Sequence, residues 1–426
     1  SDRFNLNGEA DFEYRNINST ISWRHLFNEK FYGVFSGIYS KYDYQIISNE
    51  DPVNDYQLEY AIDYYEAKAD FSLFPSTSHK LDFGLSSIYY DLNPGTFLPK
   101  NDESEVVPEQ LQQENALETA FYLSDEWTLS PRLSLYGGLR YSIFMFLGPQ
   151  KVSNYQPGVP LEVNNITGVT DYGNEIIQTY HGPEFRVNGR YQLSANSSIK
   201  ASYNRTRQYL HMLSNTTIIS PTDTWKLSDK YIRPQIGDQI SIGYYRNFLL
   251  NTIEASVETY YKKIDDMIEY KGGAELVMNE NIETDLINGD GTAYGIEFML
   301  KKKSGRLTGW LAYTYSRILM QVDGNFSTET INQGDPFPAN HDKPHDLTVV
   351  SNFKFNRRWS ISNNYTVSTG RPITYPVAKF QNGNSSYLYY SDRNEYRIPY
   401  YMRWDFSINL EGNLKSDKLA HRSWSL

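Results

Sequence analysis

Apolar and polar residues alternate along much of this chain, and that period of two restricts the fold more than any other feature. Leu133, Leu135, Leu139, Tyr141 and Ile143 interleave with Ser134, Tyr136, Arg140 and Ser142. Successive side chains of a β-strand point to opposite faces, so this stretch is a strand with one greasy and one wet face. The pattern recurs at Trp404, Phe406, Ile408 and Leu410 against Arg403, Asp405, Ser407, Asn409 and Glu411. It returns at Ile253, Ala255 and Val257 against Glu254, Ser256 and Glu258, along Tyr294, Ile296, Phe298 and Leu300, and along Leu347, Val349, Phe353 and Phe355. Several of these segments run for roughly ten residues, the length a tilted membrane strand needs. Pure apolar runs are only a handful of residues long, against the ~18 that a membrane-spanning helix requires. A helical membrane protein is therefore excluded. A membrane barrel is not, because its lipid-facing residues are interleaved with polar ones.

The links between strands alternate in length. Phe27 to Lys30, Phe74 to His79, Leu129 to Arg132, Leu193 to Ser197, Leu249 to Asn251, Lys303 to Arg306 and Asn356 to Arg358 have room for a tight turn only. Between them lie Tyr44 to Glu59, Leu92 to Asn115, Gly148 to Tyr180, Leu213 to Pro234, Lys271 to Gly291, Gln321 to Asp342 and Arg371 to Asn394, all long, polar and read as loops without regular structure. Such alternation puts every long loop at one end of an antiparallel meander, as in outer-membrane barrels with short periplasmic turns and long outside loops. About sixteen strands can be counted this way, plus the start of another at Trp424. Gly137 and Gly138, inside an alternating strand, mark a bend or close-packing site and not a phosphate cradle.

Aromatic residues make up 15% of the 426 residues, with 37 Tyr and 21 Phe. Such residues favour strands, and Tyr suits a surface that is apolar in the middle and wet at its edges. A net charge of -11 speaks against nucleic acid as a partner. The lack of Cys removes disulfides, thiolate metal sites and cysteine nucleophiles. His341 and His345 are four apart, but Pro344 between them forbids a helical metal pair, and a structural role is the better reading. Asp285, Asp290 and Asp323, near Asn288 and Gly289, offer oxygen ligands without the spacing of a calcium loop, and are read as solvated. No metal or cofactor is expected. No Ser, His and Asp set is joined by spacing, so an enzyme is not expected either. The loop aromatics Tyr155, Trp225, Tyr375, Tyr387 and Tyr389, with His211 beside Met212, are candidates for contact with a small-molecule or oligosaccharide ligand; girdle and packing roles suit the same residues. Arg140, Glu254, Glu258, Glu297, Arg403 and Asp405 fall on wet faces and are assigned to the lumen.

Five stretches follow one another in an order and at spacings that resemble the TonB-dependent receptor family, in particular its Bacteroidetes-type members. They are Lys230, Tyr231, Arg233 and Pro234; Gly291 to Glu297; Pro338 to Asp346; Thr369 to Pro372; and Arg397, Ile398, Pro399, Tyr400, Arg403, Asp405 and Ser407. The resemblance spans nearly the whole chain and is strongest in its second half. Within it Gly295 permits close strand approach, Pro372 ends pairing where a loop begins, and Arg403 and Asp405 can pair with each other or with a plug. The resemblance implies an all-β fold, a transmembrane antiparallel meander β-barrel of about 22 strands in the full protein, with roughly 17 represented here. Residues 1–426 would be a partial barrel, about strands 5 to 21, without the N-terminal plug, the first strands and the terminal strand. The function implied is TonB-dependent active import of a scarce nutrient, an iron chelate, a corrinoid or an oligosaccharide, across the bacterial outer membrane. The partners implied are a TonB-type energy-coupling protein acting through the plug, and outer-membrane lipid and lipopolysaccharide; the Bacteroidetes likeness adds a surface lipoprotein. A passive porin, or a structural barrel in an assembly or secretion complex, is the alternative reading.

Overall fold

The computed structural model describes residues 10–49, 51–213, 224–383, 385–412 and 423–425. Its wall runs as β1 (Ala10–Asn28), β2 (Phe31–Ser48), β3 (Tyr56–Ser76), β4 (His79–Pro99), β5 (Glu114–Ser130), β6 (Leu133–Leu147), β7 (Ile176–Ser194) and β8 (Ser197–Gln208). It continues as β9 (Gln235–Phe248), β10 (Ile253–Tyr270), β11 (Leu286–Lys302), β12 (Leu307–Gln321), β13 (His345–Lys354), β14 (Trp359–Ser368), β15 (Tyr401–Glu411) and β16 (Ser423–Ser425). Each pairs antiparallel with its neighbours in sequence, and two further two-residue segments, Glu109–Gln110 and Phe337–Pro338, complete an eighteen-stranded sheet. Among the described residues no pairing joins β1 to β15 or β16.

Register makes the alternation read in the sequence continuous around the wall. Leu139 of β6 lies opposite Leu123 of β5 and Phe185 of β7. From Val187 the same face passes to Tyr203, Ile240, Tyr261 and Tyr294 across β8 to β11. Further on, Phe298 faces Tyr313, Tyr313 faces Leu347, and Tyr365 faces Trp404. None of these apolar residues is buried: Ile240 is 62% exposed and Trp404 70%, while Tyr203, Tyr313, Leu347 and Tyr365 are half-buried. The opposite face carries Tyr122, Arg140, Glu184 and Glu258. A surface greasy outside and charged inside is the reverse of a soluble sandwich, and lipid is the solvent that suits it.

The connections follow the expected alternation. Two-residue turns close 29–30, 77–78, 131–132 and 195–196, while the opposite end carries 100–113, 148–175, 209–234, 271–285, 322–344 and 369–400. These long stretches are more ordered than their sequence suggests. They hold the hairpins Gln150–Tyr155 with Ile166–Tyr172, Leu210–Leu213 with Thr224–Leu227, and Pro376–Asn382 with Ser385–Tyr390. Alternation betrays a strand only over a sufficient length with one dry face, and short segments that are wet on both faces, as Pro376–Asn382, or largely buried, as Thr224–Leu227, leave no such trace.

The buried apolar clusters also gather at this end. Ile88, Tyr90 and Leu92 of β4 pack with Phe144 and Phe146 of β6, and with Tyr209 and Leu227 from the 209–234 connection. A second cluster joins Tyr44 and Tyr60 of the wall to Met278 of the 271–285 connection. The loops thus fold inward over the mouth.

Gly295 in β11 illustrates how tightly the wall is set. A Cβ there would lie 2.7 Å from the Tyr315 carbonyl oxygen and 3.0 Å from the Tyr260 ring. Gly295→Ala is expected to destabilise the barrel by about 1–3 kcal/mol, read as a lower temperature for loss of heat-modifiable gel mobility. Gly37→Ala, where nothing lies within 4 Å, should melt like the parent. Equal melting of the two variants would remove the close-approach explanation.

Candidate functional site

The inward hairpin Leu210–Leu213 with Thr224–Leu227 is anchored at its root by stacking and charge. The Tyr209 ring lies flat on Phe144, centroids 4.7 Å apart and planes 4° apart, and its hydroxyl is 2.8 Å from Ser142 Oγ. The Lys226 ammonium donates to Glu114 Oε1 at 2.7 Å and to Asp229 Oδ2 at 2.7 Å, and the Leu227 amide donates to Glu114 Oε2 at 3.0 Å. Burial alone would lower the Lys226 pKa, but Asp229 and Glu114 outweigh it and hold the ammonium above its ordinary value. Trp225, between these buried neighbours, shares a crevice with Tyr42, Tyr44 and Tyr60 of β2 and β3. The hairpin therefore leaves the wall between β8 and β9 and reaches across to strands much earlier in the chain.

Other loops are stitched to the same region. Tyr155 OH donates to Glu283 Oε1 at 2.8 Å, Ser153 Oγ to Asn281 Oδ1 at 3.0 Å, and Tyr231 OH to the Ser153 carbonyl at 2.6 Å. Lys271 Nζ donates to the Leu161 carbonyl at 2.7 Å, and the Leu161 amide to Glu329 Oε1 at 3.2 Å. Between them opens a basin of about 510 Å³, lined among others by Gln110, Gln150, Trp225, Tyr231, Asn281 and Glu283. That size falls within the ~300–1,000 Å³ of ordinary ligand sites. Burial pushes the Glu283 carboxyl above its usual range, against the hydrogen bond from Tyr155.

The candidate contact residues fall in three places. Trp225 lines the basin, and Tyr155 stands edge-on behind Tyr231, centroids 5.3 Å apart. His211 is not in the lining; it is 1% exposed, with Nε2 2.8 Å from Ser228 Oγ. Tyr387 and Tyr389 are exposed on the Pro376–Asn382 and Ser385–Tyr390 hairpin, with Tyr375 exposed at its base. Of the wet-face group, Arg140 donates to Glu118 at 2.6 Å and lies 3.4 Å from Glu184, and Arg403 Nε is 2.8 Å from Asp405. Glu254 pairs with Lys303, and Glu258 faces Glu297 in register. Sequence reasoning did not single out Lys226, Glu114 or Asn281, since Lys226 and Glu114 are 112 positions apart and no local pattern joins them. Asp285 accepts from Asn279 and the Glu275 amide, and among the described residues no group of three or more His, Cys, Asp or Glu side chains could hold a metal ion.

Most of the stretches that carry the resemblance meet in a knot beside this region. Asp342 is fully buried; its Oδ1 accepts from the Ile318 amide at 2.6 Å, and its carbonyl and carboxylate both bind Arg397. Arg397 also donates to the Gly370 carbonyl at 3.1 Å. Nearby, Asn394 Nδ2 donates to the Pro338 carbonyl at 2.9 Å and to Asn340 Oδ1 at 2.7 Å, and Arg393 pairs with Glu269 at 2.9 Å.

Lipid-facing aromatics on a meander of long strands, with loops packed into one mouth, are the build of a large outer-membrane barrel. The chain belongs to the TonB-dependent receptor barrel family: the family model described as TonB dependent receptor-like, beta-barrel, matches residues 1–425. The barrels of this family are outer-membrane receptors and transporters, not enzymes. In fold the chain is similar to the copper transporter OprC, with a TM-score of 0.64 and 11% identity over 96% of this chain and 59% of that one. It is similar to the ferric-catecholate import receptor Fiu of E. coli K12 at 0.56 and 12%, over 96% of this chain and 59% of that one. The ferric preacinetobactin receptor BauA of Acinetobacter baumannii matches at 0.60 and 12%, over 95% and 57%. The chain thus spans less than two thirds of the length of these structures. No curated protein matches it in sequence.

Two outcomes test the hairpin anchor. Lys226→Met leaves two carboxylates buried without their counter-charge, which should weaken the hairpin by about 3–5 kcal/mol, read as faster proteolysis at Leu210–Leu213 and Thr224–Leu227. Adding Glu114→Gln should restore part of the loss. Burial, helped by the nearby Lys226 charge, depresses the His211 pKa from 6.5 to about 4. In that window the unfolded chain binds a proton that the folded hairpin refuses, so hairpin stability is fully present above pH ~6.5 and falls as pH drops toward ~4. Amide protection factors should follow that course in the parent and flatten in His211→Gln; an unchanged profile would sink the assignment.

Proposed function

We propose that the chain forms the wall and outer mouth of a TonB-dependent importer of the Bacteroidetes type, set in the bacterial outer membrane with its long loops outside. In this reading it supplies about strands 5 to 21 of a barrel of roughly 22 strands, and the plug, first strands and terminal strand belong to the rest of the protein. The observation that carries the reading is the basin, held between loops that come from distant parts of the chain. A diffusion pore works by keeping its mouth open, whereas capture of a scarce solute needs a site with convergent contacts. Fold neighbours named as a copper transporter, a ferric-catecholate import receptor and a ferric preacinetobactin receptor support import of a small solute. The solute classes are an iron chelate, a corrinoid or an oligosaccharide.

The hairpin root gives a physical reason for energy coupling. Moving the hairpin that carries Trp225 away from the wall requires Lys226 to leave the buried Glu114 carboxylate of β5, a separation that costs several kcal/mol, about 3–5. Thermal opening on that scale is rare, and a pull transmitted through a plug supplies what is missing. We assign Arg140, Glu254, Glu258, Glu297, Arg403 and Asp405 to contact with that plug, on which a TonB-type protein acts. Lipopolysaccharide around the belt and a surface lipoprotein over the loops complete the proposed partners.

Cells producing the full-length protein are expected to accumulate the solute against its gradient, and a protonophore should abolish the accumulation. Trp225→Ala should raise the half-saturating concentration about tenfold. Uptake indifferent to the protonophore would overturn the importer in favour of a passive porin.

A further inference from the structure

We infer that the basin takes a neutral, polyhydroxylated ligand, a short oligosaccharide, and not an anionic or metal-bearing chelate. The inference rests on the importer reading for the fate of the ligand, but its binding chemistry stands on the lining alone.

The lining of the basin carries no net positive charge, since Lys151, Lys226 and Lys230 stand against Glu114, Asp229, Glu280 and Glu283. Lys226 is neutralised by Glu114 and Asp229, and Glu283 accepts from Tyr155. Lys230 donates to Asn154 at 3.1 Å and lies 5.3 Å over the Tyr231 ring. Lys151 and Glu280, of opposite sign, are both exposed at its margin. A polyanionic ferric chelate needs unmatched cations, best of all the fork of an arginine. A soft metal such as copper needs imidazole, thioether or thiolate donors. Among the described residues lining the basin there is no Arg, His, Cys or Met.

What the lining offers instead is amide, hydroxyl and aromatic surface. Gln110, Gln150 and Asn281 each carry a donor and an acceptor in one side chain, whereas the Asn279 amide is already bonded to the Glu275 carbonyl, to Asp285 and to the Asn281 backbone amide. A sugar hydroxyl is likewise both donor and acceptor, so amides match a rim of hydroxyls better than ammonium groups, which only donate. The Trp225 indole N–H and the Asn281 NH2 have no hydrogen-bond partner among the described residues. Trp225 supplies a flat apolar face on which the C–H face of a sugar ring lies. Tyr231 is held in place by its bond to the Ser153 carbonyl and by the edge-on ring of Tyr155 at 87°.

Calorimetry on the full-length protein in detergent, with short malto-, xylo- and fructo-oligosaccharides, a ferric tris-catecholate, copper(II) and cyanocobalamin as probes, tests the ligand class. One neutral oligosaccharide series should bind, with an affinity unchanged by salt between about 50 and 500 mM, since the ligand brings no charge to be screened. Trp225→Ala and Asn281→Ala should each weaken it at least about tenfold, while Trp225→Phe keeps most of the affinity and heat-modifiable mobility confirms that each variant is folded. Binding of the chelate, the copper or the corrinoid in a manner lost in Trp225→Ala would overturn the ligand class, as would failure of every oligosaccharide to bind. Protonophore-sensitive uptake of whichever probe binds judges the importer separately, so the two readings can fail independently.

Discussion

Inside a lipid bilayer a backbone N–H or C=O has no water to turn to, and pairing from strand to strand is the one partner the wall can offer. Register follows from this constraint. A slip of one residue between β10 and β11 would turn every side chain of the slipped strand to the other face. Were β10 to slip, Tyr261 would leave the lipid and Lys262 would enter it. Two-residue turns at one end and close approaches such as that at Gly295 hold the pairing to a single solution. The apolar belt is thus a consequence of pairing that is kept in step from strand to strand.

Because lipid covers the belt, the chain needs little apolar burial of its own in the membrane, and its buried clusters move to the mouth. There the loops have to exclude water themselves, and Phe144, Tyr209 and Leu227 do so. A buried ammonium between two carboxylates adds little net stability relative to an apolar trio, but it is costly to break. That asymmetry fixes where the hairpin sits, because any placement that separates Lys226 from Glu114 and Asp229 strands buried charge. The basin beside it keeps its shape for the same reason.

Much of the wall was legible in the sequence because lipid leaves a period of two wherever one face touches it, as along Leu133 to Ile143. The strands nonetheless run further than the alternation does. β3 and β4 each extend over 21 residues, and their outer halves pair on although the pattern has faded. Above the membrane both faces meet water or loop, so pairing continues without a dry side to mark it. The site was legible only where a residue type stands out locally. Trp225 does, and it lines the basin; Lys226 beside it does not, since its meaning lies in Glu114, far away in sequence. Loop aromatics gave no means of telling a residue of the basin from one on a separate hairpin. Tyr231 and Tyr389 look alike in sequence, yet the first lines the cavity and the second stands exposed.

The residues that carry the family resemblance and those that line the basin are largely different sets, with Lys230 and Tyr231 as the overlap. Pro338, Asp342, Gly370 and Arg397 converge on one buried knot in which a carboxylate is held by an amide and a guanidinium. Unpaired, that carboxylate would be expensive to bury, so each residue of the knot constrains the others. The knot determines how the last loops enter the mouth, and none of these four residues touches the basin. Gln110, Gln150, Asn281 and Glu283 sit on loops that the knot does not constrain, where a change of side chain alters the cavity and leaves wall pairing intact. A change in the lining of the basin therefore leaves the wall and the entry of the last loops as they are.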